Sequence, residues 1–265
     1  MSSSSRDGAR RRLPRGVACG LIACCLLGLT TLGSADAADL TVSAAASLTN
    51  AFGEIGKAFE AQNPGTKVQF NFAASGALLQ QIVKGAPVDV FASADEETMD
   101  DAQKQDLVET STRADFVRNR LVVIVPVDNK LAPKALADLS DARYAKVAIG
   151  QPASVPVGRY TKSVLEQANL WTAIEAKMIG AQSVRQALDY VARGEVEAAF
   201  VYATDAAVMA DKVHVAFAVP TAKPIIYPIA ALKAASDKAL AQLFARYVSS
   251  PESQAVLARY GFARP

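Results

Sequence analysis

The chain has 265 residues, 51% of them apolar, with 28 basic and 26 acidic side chains and a net charge of +2. That length holds one large domain or two small ones and buries a substantial core without staples. All three cysteines (Cys19, Cys24 and Cys25) fall within the first 25 residues, so the rest of the chain has no disulfide, thiol ligand or thiol nucleophile.

The first element is an export signal. Arg6, Arg10, Arg11, Arg12 and Arg15 precede an apolar run from Val17 to about Gly33, and Ser34-Ala35-Asp36-Ala37 supplies an A-x-A site with cleavage expected before Ala38. The run is short of the ~20 residues a membrane span needs. Leu21-Ile22-Ala23-Cys24 resembles a lipoprotein box, but the apolar run continues well past Cys24. Residues 1–37 carry five Arg and two Asp, which leaves 23 basic and 24 acidic side chains in the remaining 228 residues. No basic surface for nucleic acid follows. No second run is long enough to cross a membrane. The expected product is soluble in the periplasm.

Strand-like and helix-like segments then alternate. Leu40-Thr41-Val42 opens a strand, and residues 47–61 read as a helix with Leu48, Ala51, Phe52, Ile55 and Phe59 on one stripe. Asn63-Pro64-Gly65 turns into a strand at Lys67–Phe72. A helix follows from Ser75 to Lys84, with Leu78, Leu79, Ile82 and Val83 as its stripe and Gly85 as its stop. Val88–Ala92 reads as a buried strand, and Ser93 with Glu96 as a capping box. Further strands are expected at Arg120–Val125, Lys146–Ile149, Lys177–Ile179, Glu197–Val201, Val213–Val219 and Ile225–Leu232. Helices are expected near 158–169 and 183–193. Two more close the chain, the last opening Ser250-Pro251-Glu252 with Pro at its first position. The alternation predicts an α/β fold with parallel or mixed sheets.

Within this pattern one unit occurs twice: a strand ending in small residues, then Ser47 or Ser75, then a helix. A Ser at such a junction places a hydroxyl beside the unpaired N–H groups and positive dipole end of the first turn. That combination holds an anion without Lys or Arg. An ordinary N-cap has the same sequence appearance. The second half restarts the logic. Gly150–Gly158 and Ala181–Arg185 are strand-to-helix junctions, and Ala199–Tyr202 ends a strand on a tyrosine. A cleft between two α/β lobes is where these donors meet.

The segments AAASLTNAF, FAASGALLQQI, GAPVDVFASAD, VPVGRY, SVRQAL, FVYATDA and RYGF, in order from about Leu40 to Phe262, resemble the periplasmic molybdate-binding proteins of ABC-type importers. These are type II periplasmic binding proteins. The resemblance implies two lobes, each a mixed and mostly parallel sheet flanked by helices, with ligand in the cleft between. Lobe one is expected at 38–122 and 224–265, and lobe two at 123–223. It also implies a molybdate or tungstate oxyanion as ligand, held by the hydroxyls of Ser47, Ser75 and Tyr202 and by backbone N–H groups at Val157 and Val184. Gly76 stands where the family more often has a hydroxylic residue, and Val157 where it often has Ala. The implied partner is the membrane permease of the importer. No cofactor, no cation ligand set and no nucleic acid are implied, and the protein is expected as a monomer.

Molybdate carries acceptor oxygens only, so a cage of neutral donors suits it and still allows release. Sulfate, a smaller tetrahedron, leaves donors unpaired. Arg159 and Arg185 sit beside the proposed backbone donors, within reach of the anion, and are read as solvent-facing pairs rather than as ligands. Asp89 and Asp95 are read as structural or capping groups, and His214, the sole histidine, as lacking a metal-ligand cluster. Two rivals stand beside this reading. One is a binding protein for another anion such as sulfate, phosphate or an organic acid. The other is a periplasmic serine hydrolase, which would need His214 as base and lacks a G-x-S-x-G elbow.

Overall fold

A computed structural model describes residues 38–130 and 132–265. The export signal expected at 1–37 lies outside the described residues. In chain order the elements are β1 (Ala38–Ala45), α1 (Thr49–Gln62), β2 (Thr66–Ala73), α2 (Ser75–Val83), β3 (Val90–Ala92), α3 (Glu96–Lys104), β4 (Ala114–Asn119) and β5 (Leu121–Pro126). Then come β6 (Val147–Gly150), α4 (Pro156–Gln167), α5 (Trp171–Glu175), β7 (Met178–Ala181), α6 (Val184–Ala192), β8 (Ala198–Tyr202) and α7 (Ala203–Val208). The chain ends with β9 (Val213–Val219), β10 (Ile225–Ala231), α8 (Lys238–Tyr247) and α9 (Pro251–Arg259).

The strands form two five-stranded sheets of the same plan, ordered β2-β1-β3-β10-β4 and β7-β6-β8-β5-β9. In each, the first three strands run parallel and the last two are antiparallel to their neighbours. Helices α1, α2, α3 and α8 pack on the first sheet, with α9 against α1, and α4, α6 and α7 pack on the second, with α5 against α4. The chain therefore has two α/β lobes. It passes from the first sheet to the second between Asn119 and Leu121, and returns between Val219 and Ile225.

Burial follows the expected stripes. Leu48, Ala51, Phe52, Ile55 and Phe59 are all buried, and Phe52 and Phe59 meet Phe244 edge-on. Burying a side chain of this size contributes about 1.5–3 kcal/mol. Leu78, Leu79 and Ile82 face a second cluster with Phe91 and Met99. Val83 departs from its expected stripe and is exposed, at the last position of α2.

The expected capping box at Ser93 and Glu96 is corrected. The N-cap of α3 is Asp95, whose carboxylate accepts from the Thr98 N–H, while the Ser93 hydroxyl donates to Asp95. An aspartate accepts an orphan N–H as well as a serine does and carries the charge that the helix start favours. The last helix caps as expected, with Ser250 accepting from the Ser253 N–H and Pro251 opening the turn. Strand β4 and the short helices α5 and α7 were not legible in the periodicity. Five or six residues are too few to draw a helical stripe, and β4 is buried at two adjacent positions rather than alternately.

Candidate functional site

Parallel strands end on a common edge, and loops leaving that edge converge. In the first sheet β1 and β2 end on alanines and lead into the turns that carry Ser47 and Ser75. In the second, β6, β7 and β8 lead into the starts of α4, α6 and α7. The two sets of turns face each other across a small cavity of about 10 Å³, lined by Ala46, Ala74, Ser75, Val157, Val184 and Tyr202 among others. Four of the five expected site residues thus border one space. The fifth, Ser47, is buried one residue beyond Ala46 on the same turn. Among the described residues no charged side chain lines this cavity.

Neither serine caps its helix. Ala74 and Leu48 hold the N-cap positions of α2 and α1, with no side-chain cap bond at either. Instead each hydroxyl oxygen is occupied as an acceptor. The Ala94 N–H donates to Ser75 Oγ at 3.0 Å. Ser47 Oγ lies 2.9 Å from the Tyr227 hydroxyl, which also receives the Asn119 amide at 3.2 Å. With its oxygen filled by Asn119 and its proton in need of an acceptor, fully buried Tyr227 donates to Ser47. Each serine then has a proton left to give, and the cavity is the place for an acceptor.

Val157 follows Pro156 in the first turn of α4 and Val184 opens α6, where first-turn N–H groups have no carbonyl one turn earlier to bond. Close approach here depends on Gly158. A Cβ on it would stand 1.9 Å from the Gly150 carbonyl oxygen, so only glycine lets α4 start directly over the end of β6. The Ser183 side chain caps α6 by accepting from the Gln186 N–H, which leaves the Val184 N–H unclaimed by the cap.

Tyr202 ends β8 with its ring edge-on to Tyr227, centroids 5.8 Å apart, and its hydroxyl donates at a long 3.5 Å to the Ala94 carbonyl. Burial pushes both phenol pKa values well above the ordinary 10, so both hydroxyls stay protonated donors. Tyr227 and Asn119 belong to the site and were not singled out by sequence. They lie on β10 and β4, far along the chain from Ser47, and no local motif marks them.

The expectation that Arg159 and Arg185 face solvent is corrected. Both are largely buried, and each has partners in the first lobe. Arg159 pairs with Asp95 through Nε at 2.9 Å and Nη2 at 2.6 Å, and its Nη2 also donates to Thr98. Arg185 donates to Asp205 beside it and across to Asn50 Oδ1 at 2.8 Å and the Ser47 carbonyl at 3.3 Å. Asp89 is structural, accepting from the Thr41 and Ser236 N–H groups. Among the described residues no group of three or more His, Cys, Asp or Glu could hold a metal ion, and His214 sits on β9. A larger open groove beside α3 and α4 is bordered by the carboxylates Asp95, Glu96, Glu97 and Asp100 and by the cations Lys104, Arg159 and Lys223, a mixed surface with none of the cavity's paired helix starts.

Residues 40–263 match the family model of the bacterial extracellular solute-binding proteins. The chain is 35% identical over 233 residues to the molybdate-binding protein ModA of Haemophilus influenzae, covering 86% of this chain and 91% of that one. It is 36% identical over 264 residues to that of Mycobacterium bovis, covering 94% and 98%. The solved periplasmic molybdate-binding protein of Azotobacter vinelandii superposes with a TM-score of 0.74 at 26% identity, covering 85% of this chain and 99% of that one. The two-lobed architecture is that of a type II periplasmic binding protein, and the chain belongs to the bacterial extracellular solute-binding proteins.

Proposed function

We propose that the protein captures molybdate, and with it the near-isosteric tungstate, in the periplasm and delivers it to the membrane permease of an ABC-type importer. The observation that carries this reading is a small, uncharged cavity bordered by hydroxyls and helix starts, in a chain at least 35% identical to named molybdate-binding proteins. The proposed ligand donors are the hydroxyls of Ser47, Ser75 and Tyr202, the backbone N–H groups of the same two serines, and the N–H groups at Val157 and Val184. It is a carrier rather than an enzyme, works without a cofactor and acts as a monomer. Residues 1–37 act as a cleaved export signal.

A dianion held by neutral donors draws on charge-assisted bonds of roughly 2 kcal/mol each. About seven such bonds, less the cost of association and lobe closure, give micromolar to tens-of-nanomolar affinity. The lobes that close are 38–120 with 224–265, and 121–223, flexing where the chain crosses between the sheets. Titration calorimetry with molybdate, tungstate, sulfate and phosphate tests the reading. Tight binding of the first two with little heat from the others is expected, and equal affinity for sulfate would sink it.

A further inference from the structure

The mechanism above leaves two cations unused, although each stands beside a proposed donor. Arg159 follows Val157 by two residues in the first turn of α4, and Arg185 follows Val184 directly in α6. Neither borders the cavity. All three nitrogens of each guanidinium already have partners. For Arg159 these are Asp95, Thr98 and, at 3.4 Å, the Pro152 carbonyl, with the exposed Glu97 carboxylate 3.8 Å from Nε. For Arg185 they are Asp205, Asn50 and the Ser47 carbonyl. Asp95, Thr98, Asn50 and Ser47 sit on the first lobe, while both arginines sit on the second.

We infer that Arg159 and Arg185 are positioning residues, a pair of clasps that cross from the second lobe to the first and hold the lobes shut over the oxyanion without touching it. The inference rests on the proposed oxyanion-binding reading. Bonds made between lobes exist only when the lobes are together, so they lower the free energy of the closed state alone. The same bonds fix the first turns of α4 and α6, whose N–H groups are the proposed donors. Arg159 is neutralised by a carboxylate that is only 5% exposed, which keeps its charge from gripping the anion and slowing release. Arg185 also ties down the carbonyl of Ser47 itself, so closure and the seating of that serine are one event.

The test uses protein purified from the periplasm of the producing cell. Arg159→Ala removes the first clasp. Asn50→Ala loosens the second at an exposed partner, without leaving Asp205 unpaired in the core. Each is expected to weaken molybdate affinity by about three- to thirtyfold, through faster release rather than slower association, with the ligand-free melting temperature little changed. Small-angle scattering should show the wild type compacting with molybdate and the variants needing more of it. Arg159→Lys should recover part of the loss.

Asp95→Asn, which keeps the α3 cap, separates the alternatives. As half of a clasp its loss weakens affinity and adds little in the Arg159→Ala background. If Arg159 instead binds the anion, removing the neighbouring carboxylate tightens affinity, and the clasp is overturned. Variants that lower ligand-free stability and leave affinity intact overturn it too. A wild type that compacts with tungstate, sulfate or phosphate but not molybdate ends the molybdate reading, and the same variant comparisons, made with that anion, decide the clasp. A wild type that compacts with none of the four anions overturns the clasp.

Discussion

The hydroxyl of Ser47 is held 2.9 Å from that of Tyr227, a residue 180 positions later in the chain. Asn119 sets the direction of this bond. Its amide nitrogen donates to Thr204 at 2.8 Å and to Tyr227 at 3.2 Å, and its carbonyl accepts from the Arg120 N–H. The Tyr227 proton is thereby directed to Ser47, and the Ser47 proton to the cavity. Hydrogen bonds arranged in such a line polarise one another. Tyr227→Phe should weaken molybdate binding by about 1 kcal/mol, roughly fivefold, and should add nothing in a Ser47→Ala background. Calorimetry on the single and double variants checks this; additive losses would mean that Tyr227 acts elsewhere.

Ser75→Ala and Tyr202→Phe each delete one proposed donor while keeping most of the packing. The expected loss is roughly 1.5–3 kcal/mol for the serine and 1–3 kcal/mol for the tyrosine. Ser75→Ala also leaves the buried Ala94 N–H without its acceptor, so it should lower ligand-free stability as well. Tyr202→Phe gives up only the long bond to the Ala94 carbonyl and should leave ligand-free stability nearly unchanged. A Tyr202→Phe variant that melts earlier and binds as before would show a core tyrosine and no donor.

Gly76 allows the lobes to meet backbone to backbone. Its N–H donates to the Ser154 carbonyl at 3.0 Å, and a Cβ there would come within 2.7 Å of that same oxygen. The clash is with backbone, which cannot rotate away as a side chain would. Gly76→Ala should therefore weaken molybdate binding about tenfold or more by obstructing closure. In the open form alanine at a helix start is tolerated and favours the helix by up to ~1 kcal/mol. Opposite signs in thermal denaturation without ligand and in affinity are the expected signature. A loss of both would point to a fault within the first lobe instead.

Much of the fold was legible because its signals are local. The β–Ser–α units, the stripe from Leu48 to Phe59 and the Ser250-Pro251 start each lie within one stretch of chain. What stayed hidden is long-range. Tyr227 reads as one more strand residue until β10 folds back beside β4 and brings its hydroxyl to Ser47. The arginines read as surface charges because their partners, Asp95 and Asn50, lie in the other lobe. Lobe two's donors at Val157 and Val184 are backbone groups. A main-chain N–H leaves no trace in side-chain identity, so resemblance alone pointed to them.

Asp205 makes the fold sensitive to pH. Its side chain is fully buried, and burial outweighs the opposing pull of Arg185, so its carboxyl pKa is raised from the ordinary 3.8 to about 6. The groups facing it are Arg185 from α6, whose Nε lies 2.5 Å away, and the Tyr202 backbone N–H, with the neutral phenols of Tyr202 and Tyr227 near enough to feel its charge. Above about pH 4 the unfolded chain has released this proton, while the native state keeps it until about pH 6. Stability from this group is therefore full below pH 4 and is lost as pH rises through 6. Asp205→Asn removes the titration. Measured by urea unfolding, the stability of the variant relative to wild type should improve by about 1–3 kcal/mol between pH 4 and pH 7. Molybdate affinity should run the other way. At pH 7 the ionised Asp205 anchors Arg185 toward Asn50 and Ser47, so the variant should bind more weakly than wild type, and the gap should narrow toward pH 5. A stability difference that stays flat with pH would mean that Asp205 is ionised throughout and that its pairing with Arg185 outweighs burial after all.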